Sequence, residues 1–551
     1  MAKSVTALKL KSWIGDEDEL ALLDVREEGV FGRGHLLFAV CVPLSRMELR
    51  IRDLVPRFAT RIVLCDGGDG GDGGGGADGL AGLAAARLAG FGYSDVTILD
   101  NGVAGWAEAG FEMFGGMNVP SKAFGEFVEH EYGTESLSAE ELKQLIDSGG
   151  KLVVLDSRPM AEYRRMNIPT GIDVPGAELA LRVHDIAPDP DTLVVVNCAG
   201  RTRSIIGAQS LRNAGIANRI LALRNGTMGW QLAGFDLEHG AGRAAPEVSA
   251  AGLARAQAAA ADVAARFGVA TIDATTLKAW RAESDVRSLF VLDVRSPAEF
   301  EAGHLAGSIH APGGQLVQAT DRYVATQGAR LVLVDDEGVR ATMTASWLVQ
   351  MGWRDVAVLE GGLEDALAGA APETGKFAPR VIAPDSAGEA AAERISADAA
   401  RQLIAAGEAV AVDFATSLEY RAGHIPGAWF AVRSRLKECL ARIPAASTLV
   451  MTSPEGVLAE YAAQDAAQDA EAPGDMAVKV IDGGTDAWRA AGYDLAEGFE
   501  NMASENDDLF YRAYDHTENI EAHMREYLSW ETGLVAQVAR DGTARFRRFP
   551  A

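Results

Sequence analysis

The most regular feature of the chain is a short apolar run ending in an acidic residue, met four times: ALLDVR at Asp24, LVVLDSR at Asp156, LFVLDVR at Asp293 and VAVDFA at Asp413. Successive acids lie 132, 137 and 120 residues apart, so the repeating unit is the size of a domain and not of a solenoid turn. Each unit then continues in the same order. A Gly-His turn or its equivalent follows (GRGHLLFAVCVP, RRMNIPTGIDVP, EAGHLAGSIHAP, RAGHIPGAWFAV), then a second apolar run (RIVLCD, TLVVVNC, RLVLVDD, TLVMTS), a loop and an Ala/Leu-rich stretch of helical character. A last strand and a glycine turn close the unit as VTILDNGVAGW, ILALRNGTMGW, VAVLEGGLEDA and VKVIDGGTDAW. Gly102/Trp106, Gly226/Trp230 and Gly484/Trp488 share one spacing.

These runs are rich in β-branched residues and do not alternate, which predicts strands buried on both faces, and the helical stretches between them predict parallel crossovers. The predicted class is α/β, with repeats over residues 1–118, 119–242, 269–378 and 379–498. An Ala-rich linker, 243–268, is expected to be helical, and 370–392 combine Pro, Gly and Ala as a connector does. The longer Ala-rich segment between repeats 2 and 3 predicts that repeat 1 pairs with 2 and repeat 3 with 4. The tail, 499–551, is expected to pack in part as a helix through Met524, Tyr527, Leu528 and Trp530.

Composition narrows the function more than the fold. Among 551 residues, Asp and Glu outnumber Lys and Arg by 78 to 51, a net charge of −27 that repels a phosphate backbone and argues against a nucleic-acid partner. The N-terminus lacks the apolar core of a secretory signal, and no apolar stretch is long enough to span a bilayer, so a cytoplasmic location and no membrane partner are expected. The four cysteines, Cys41, Cys65, Cys198 and Cys439, are scattered and form no Cys-x-x-Cys pair, against a disulfide framework or a zinc site.

Cys198 stands apart. It ends the strand TLVVVNC and opens the loop Cys198-Ala199-Gly200-Arg201-Thr202-Arg203-Ser204, after which the chain reads as a helix. A loop turning from a strand into a helix N-terminus aims backbone N–H groups and the positive end of the helix dipole at one point, where a thiolate is stabilised. Arg201 and Arg203 are cationic forks that can hold an oxyanion, and Ala199 and Gly200 allow close approach. Asp156 and Arg158 form an Asp-x-Arg that recurs as Asp24/Arg26 and Asp293/Arg295 in units without a loop cysteine, so a structural ion pair is expected. His35, His304 and His424 of the Gly-His turns read as structural too, since repeat 2 has Met166-Asn167 in that place. Aligning strand ends puts Asp66, Asp336 and Ser453 opposite Cys198, and none can serve as a sulfur nucleophile. The acidic Gly-rich run beginning at Asp66 has no Gly-Lys-Ser/Thr and reads as a solvated loop, not a phosphate loop. Cys41 and Cys439 lie away from the loop positions and read as structural.

With LDSRPMAEY, CAGRTRS and NGTMGW in order, the chain resembles the rhodanese-type sulfurtransferases, most closely those with four repeats of which one keeps the loop cysteine. The resemblance implies four tandem rhodanese-like domains. It also implies a two-step transfer in which Cys198 takes sulfane sulfur from an anionic donor, thiosulfate as first guess, and passes it to cyanide, a thiol or a protein acceptor. No metal or organic cofactor is implied. On this reading Ala199 to Ser204 bind substrate and Asp156 and Arg158 support the site. Two alternatives remain. Three units without the cysteine allow a scaffold or persulfide carrier serving a protein acceptor. A Cys-dependent phosphatase or arsenate reductase is weaker, because its Cys-x5-Arg loop would need arginine where Ser204 stands. Cys198→Ala is expected to abolish sulfur transfer and Cys65→Ala to leave it largely intact; residual thiocyanate formation by the first variant would refute the assignment.

Overall fold

The computed structural model describes residues 3–68, 79–384, 392–468 and 476–550. Most of the Gly-rich run, and part of the 370–392 connector, lie outside these. Among the described residues there are four sheets, one per repeat. In repeat 2 the strands run, edge to edge, Ser136–Leu137, Ile220–Leu223, Leu193–Asn197, Leu152–Asp156 and Ile172–Asp173, all parallel. The other repeats keep this order, and helices cover both faces. The central strand Leu193–Asn197 is buried from its second residue onward, which accounts for its unbroken apolar sequence.

The recurring sequence signals each have a steric or hydrogen-bonding cause. Arg158 grips Asp156 through two bonds of 2.8 and 2.7 Å and donates to the Met166 carbonyl at 2.6 Å, tying the first strand to the turn that follows it. Arg26 with Asp24 and Gly34, and Arg295 with Asp293 and Gly303, repeat this clamp. In repeat 4 no arginine follows Asp413, and burial pushes its carboxyl up to about 7. His35, His304 and His424 stack on Phe31, Phe300 and Tyr420 one helical turn earlier, while Asn167 bonds the carbonyl of Tyr163 instead. Trp106, Trp230 and Trp488 are buried and donate Nε1 to the carbonyl six residues later.

The pairing of repeats differs from expectation. Repeat 2 packs on repeat 3, and repeat 1 on repeat 4. The Ala-rich segment forms a helix, Ala250–Phe267, whose buried small residues Ala256 and Ala260 let it lie closely against Leu179–Ile186 of repeat 2 and Val339–Gln350 of repeat 3. It is a packing element between the two, not a spacer. Across the same junction Arg340, fully buried, bonds Glu178 of repeat 2 at 2.9 Å together with Glu299 and Glu337 of its own repeat. The 1–4 junction is held by Arg433, which reaches Glu48 at 2.8 Å and Asp465 at 2.7 Å. Repeat 3 also lends repeat 1 a strand: Thr326–Gln327 pairs antiparallel with Leu20 and Ala21. The tail forms a helix, Ile520–Asp541, burying Met524 and Leu528 as the pattern of its apolar residues predicts.

Removing the Arg340 side chain would strand carboxylates facing it in the repeat 2/3 junction. Arg340→Met should therefore destabilise the protein by about 3–5 kcal/mol, read as an earlier first transition in urea; an unchanged transition would show that the junction does not depend on the pair.

Candidate active site

Cys198 follows the central strand of repeat 2 and is 2 % exposed. Its position is held from behind by the closing turn. Asn225 and Gly226 both adopt left-handed backbone conformations, with φ of 63° and 55°. A Cβ on Gly226 would sit 2.2 Å from the Cys198 carbonyl oxygen, a contact only glycine permits. Thr227 N–H then donates to that oxygen at 2.9 Å. The same contact occurs at Gly102 with Asp66, Gly362 with Asp335 and Gly484 with Ser453. This corrects one alignment: Asp335, not Asp336, stands opposite Cys198, because the strand Arg330–Val334 ends one residue earlier than its acidic pair suggests.

The helix Thr202–Asn213 starts four residues after Cys198, and Arg201 at its N-cap provides no side-chain cap. In the other repeats the side chain opposite Cys198 supplies one. Asp66 accepts from Ala81 N–H at 3.0 Å, Asp335 from Arg340 N–H at 2.9 Å and Ser453 from Ala459 N–H at 3.3 Å. Three oxygen acceptors thus occupy the place where repeat 2 has sulfur, so the geometry there favours an electron-rich group at the start of a helix. Ser204 Oγ donates to Cys198 Sγ at 2.9 Å.

The loop arginines are already paired. Arg201 bonds Glu126 at 2.7 and 2.8 Å, and also Glu129, both on the helix Val119–Tyr132 that leads into repeat 2. Arg203 bonds Glu162 at 2.9 and 2.8 Å and Gln315 of repeat 3 at 2.9 Å. Its cation helps hold the Glu162 carboxyl down at about 2 despite burial. Repeat 3 has the same pair, Arg340 with Glu299, in the corresponding places and without a cysteine. The Arg203–Glu162 pair therefore has an architectural part, joining the helix after the first strand to the helix after the loop. Thr202 donates to Glu531 of the tail helix, and Gly200 lies against Tyr527, 3.1 Å from where its Cβ would be. Asp156 and Arg158 form the buried clamp beneath the loop, with Asn197 donating to Asp156 at 3.0 Å.

A cavity of about 860 Å³ opens beside Ala199 and Arg203, walled by all four repeats and the tail. Nine Lys and Arg residues line it against six Asp and Glu, an inversion of the balance of the chain as a whole. One of them, Lys122 on Val119–Tyr132, was not singled out by its sequence. Its ammonium bonds Gln318 of repeat 3 at 3.1 Å, and among the described residues no carboxylate lies within salt-bridge distance of it. Burial lowers its pKa, while the Glu531 and Cys198 charges oppose that fall. Tyr514 and Tyr527 of the tail complete this wall. Nothing local in VPSKAF marks Lys122; only the packing of three segments of the chain places it near the sulfur. The remaining cysteines are buried and free, and burial pushes the thiols of Cys41 and Cys65 well up, while Cys439 lies 2.9 Å from Ser504 Oγ.

A strand-end cysteine behind a glycine turn, at the head of an uncapped helix, in a parallel five-stranded sheet used four times, defines a class of protein that other chains share. A family model described as Rhodanese-like domain matches residues 6–109, 138–233, 273–368 and 396–491, and the chain belongs to that family. A crystal structure titled as a thiosulfate sulfurtransferase from Pseudomonas aeruginosa is similar over 100 % of both chains, at 47 % identity and a TM-score of 0.92. The thiosulfate sulfurtransferase GlpE of Pseudomonas paraeruginosa is 34 % identical over 74 residues, 13 % of this chain and 66 % of that protein. An HTH-type transcriptional regulator, Rv0324 of Mycobacterium tuberculosis, is 34 % identical over 93 residues, 17 % of this chain and 40 % of the regulator. The chain thus spans about two fifths to two thirds of the length of these two relatives. The activity these findings support is sulfur transfer of the rhodanese type.

The Gly226 contact yields a paired test. Gly226→Ala should cut transfer at least about tenfold, through a clash with the Cys198 carbonyl added to left-handed strain. Gly215→Ala, at φ 67° with nothing within 4 Å, carries the strain alone and should leave transfer within about twofold. Equal activity of the two variants would show that the contact does not position the loop.

Proposed function

We propose that the protein is a thiosulfate sulfurtransferase in which Cys198 alone carries the sulfur. The carrying observation is the placement of one thiol at the head of an uncapped helix beside a cationic cavity, while the three equivalent positions hold oxygen acceptors. The Cys198 thiolate attacks the outer sulfur of thiosulfate, an S–S bond forms as the S–S bond of the donor breaks, and sulfite leaves with the electron pair. The Ser204 hydroxyl and the first-turn N–H groups stabilise charge on the sulfur before and after the step. Lys122, without a carboxylate partner among the described residues, meets the dianionic donor and then the departing sulfite, and Arg203 adds to the positive field from its place beside Glu162. An acceptor then takes the outer sulfur and restores the thiolate.

The scaffold reading is retained only for the other three repeats. They wall the cavity and supply no nucleophile, so they shape the site in which repeat 2 reacts. A phosphatase reading is disfavoured by Ser204, whose hydroxyl bonds Sγ where a longer loop would bring its arginine.

Thiosulfate should add the mass of one sulfur to the wild-type protein and support thiocyanate formation from cyanide. Lys122→Gln should raise the KM for thiosulfate about tenfold or more, as loss of a charge-assisted bond implies, and Lys122→Arg should restore most of it. Persulfide formation without turnover would instead identify a carrier, and an unchanged KM in Lys122→Gln would remove Lys122 from the donor site.

A further inference from the structure

The helix Ile520–Asp541 of the tail lies outside the four domain matches. It is buried along one face through Met524, Leu528, Leu534 and Val538, and Glu531 stands in the same row with no exposure at all. An acid there calls for an explanation, because a leucine of like size would avoid the cost of taking a carboxyl group out of water. Asp541, the other buried acid of this helix, accepts from the Lys11 ammonium at 3.1 Å. Glu531 has no cation within salt-bridge distance among the described residues. Its Oε1 accepts from the Thr202 hydroxyl, and its Oε2 is buried without a hydrogen-bond donor. Both oxygens meet the loop after Cys198, since Oε2 lies 3.4 Å from where a Cβ on Gly200 would be.

What this contact replaces is visible in the other repeats. The first residue of the helix, four beyond the strand-end position, is Val339 in repeat 3 and Val457 in repeat 4, neither with a hydroxyl. There the helix start is tied down from within, by the caps that Asp335 and Ser453 place on the N–H groups of Arg340 and Ala459. Cysteine at that point in repeat 2 leaves the cap out, and the helix begins instead with Thr202, whose hydroxyl is held from outside by the tail. A hydroxyl tether fixes the helix start without occupying any of its N–H groups, which remain available to charge on the sulfur.

We infer that Glu531 is a positioning residue for sulfur transfer, one that holds the N-terminal turn of Thr202–Asn213 in place through the Thr202 hydroxyl. The inference rests on the sulfur-transfer reading of Cys198. Glu531 acts on the sulfur only through Thr202, and neither proton nor sulfur passes to it. Holding the turn contributes most as charge is redistributed on the sulfur, so its loss falls on kcat, while the KM for thiosulfate follows the cavity cations. A buried carboxyl group kept for this purpose costs stability, which a residue serving the fold alone would not.

Thiocyanate formation from thiosulfate and cyanide by the full-length protein tests this with a set of variants. Glu531→Leu, and Thr202→Val, which places the residue of repeats 3 and 4 there, should each lower kcat about tenfold, with the KM for thiosulfate within about twofold of wild type. Glu531→Gln keeps an oxygen for the hydroxyl and Thr202→Ser keeps the hydroxyl, so each should retain about half of kcat or more. The double variant Glu531→Leu/Thr202→Val should be no slower than either single one, since both remove the same bond. Arg540→Met, which releases the far end of the helix from Glu112, should leave kcat within about twofold. Glu531→Leu should unfold in urea no earlier than wild type. An unchanged kcat in Thr202→Val, losses that multiply in the double variant, or a Glu531→Gln protein as slow as Glu531→Leu would each overturn the assignment, as would an earlier urea transition in Glu531→Leu. Failure of the wild type to form thiocyanate would reject the underlying reading instead.

Discussion

The position of the loop after the central strand depends on one close approach, that of the closing-turn glycine to the carbonyl of the residue at the end of that strand. In each repeat a Cβ at this glycine would come within 2.0 to 2.5 Å of that oxygen. The contact is backbone against backbone, so it fixes where the strand-end residue sits without constraining its side chain. That separation explains how one scaffold holds cysteine, aspartate or serine at the same point. The buried tryptophan four residues after the glycine in three repeats then seats the turn, with its indole bonded to the chain beyond.

The repeats without the loop cysteine act as internal controls for the one that has it. Their strand-end side chains satisfy the N–H groups that begin the next helix, at the cost of burying a carboxyl: burial pushes Asp335 up to about 6 and raises Asp66. In repeat 2 the helix is left without such a cap, and a sulfur bonded by Ser204 lies at its head. The start of this helix is thus left open to a group that the loop does not itself supply, while the loop is anchored by the clamp beneath it and by Arg203 with Glu162.

Features set by local physics were readable from the residues. The strands, the repeat order, the helical Ala-rich segment, the apolar face of the tail and the loop at Cys198 all depend on runs of neighbouring residues, and the structure has them. Where a signal was locally degenerate, reading failed: two consecutive acids end RLVLVDD, and only the strand register distinguishes Asp335 from Asp336. Properties set by distant contacts left no mark. Lys122, the pairing of repeat 2 with 3, and the engagement of Arg201 by Glu126 and Glu129 arise from packing between segments whose sequences are individually unremarkable. The motif identified the loop arginines as anion forks, yet the acids that meet them lie as far as 75 residues upstream.

The borrowed strand Thr326–Gln327 has a consequence for how the protein comes into being. Until it arrives, the outer edge of Leu20–Asp24 in repeat 1 has no partner along its first residues, an exposed template for pairing with other chains. Translation at about 5–20 residues per second leaves that edge open for roughly 15 to 60 seconds. The tail helix that closes over Gly200 and Thr202 is made later still. A nascent chain therefore exposes this edge early and closes the wall over Gly200 and Thr202 last, so the pairing edge of repeat 1 is unprotected while most of the chain is still being made.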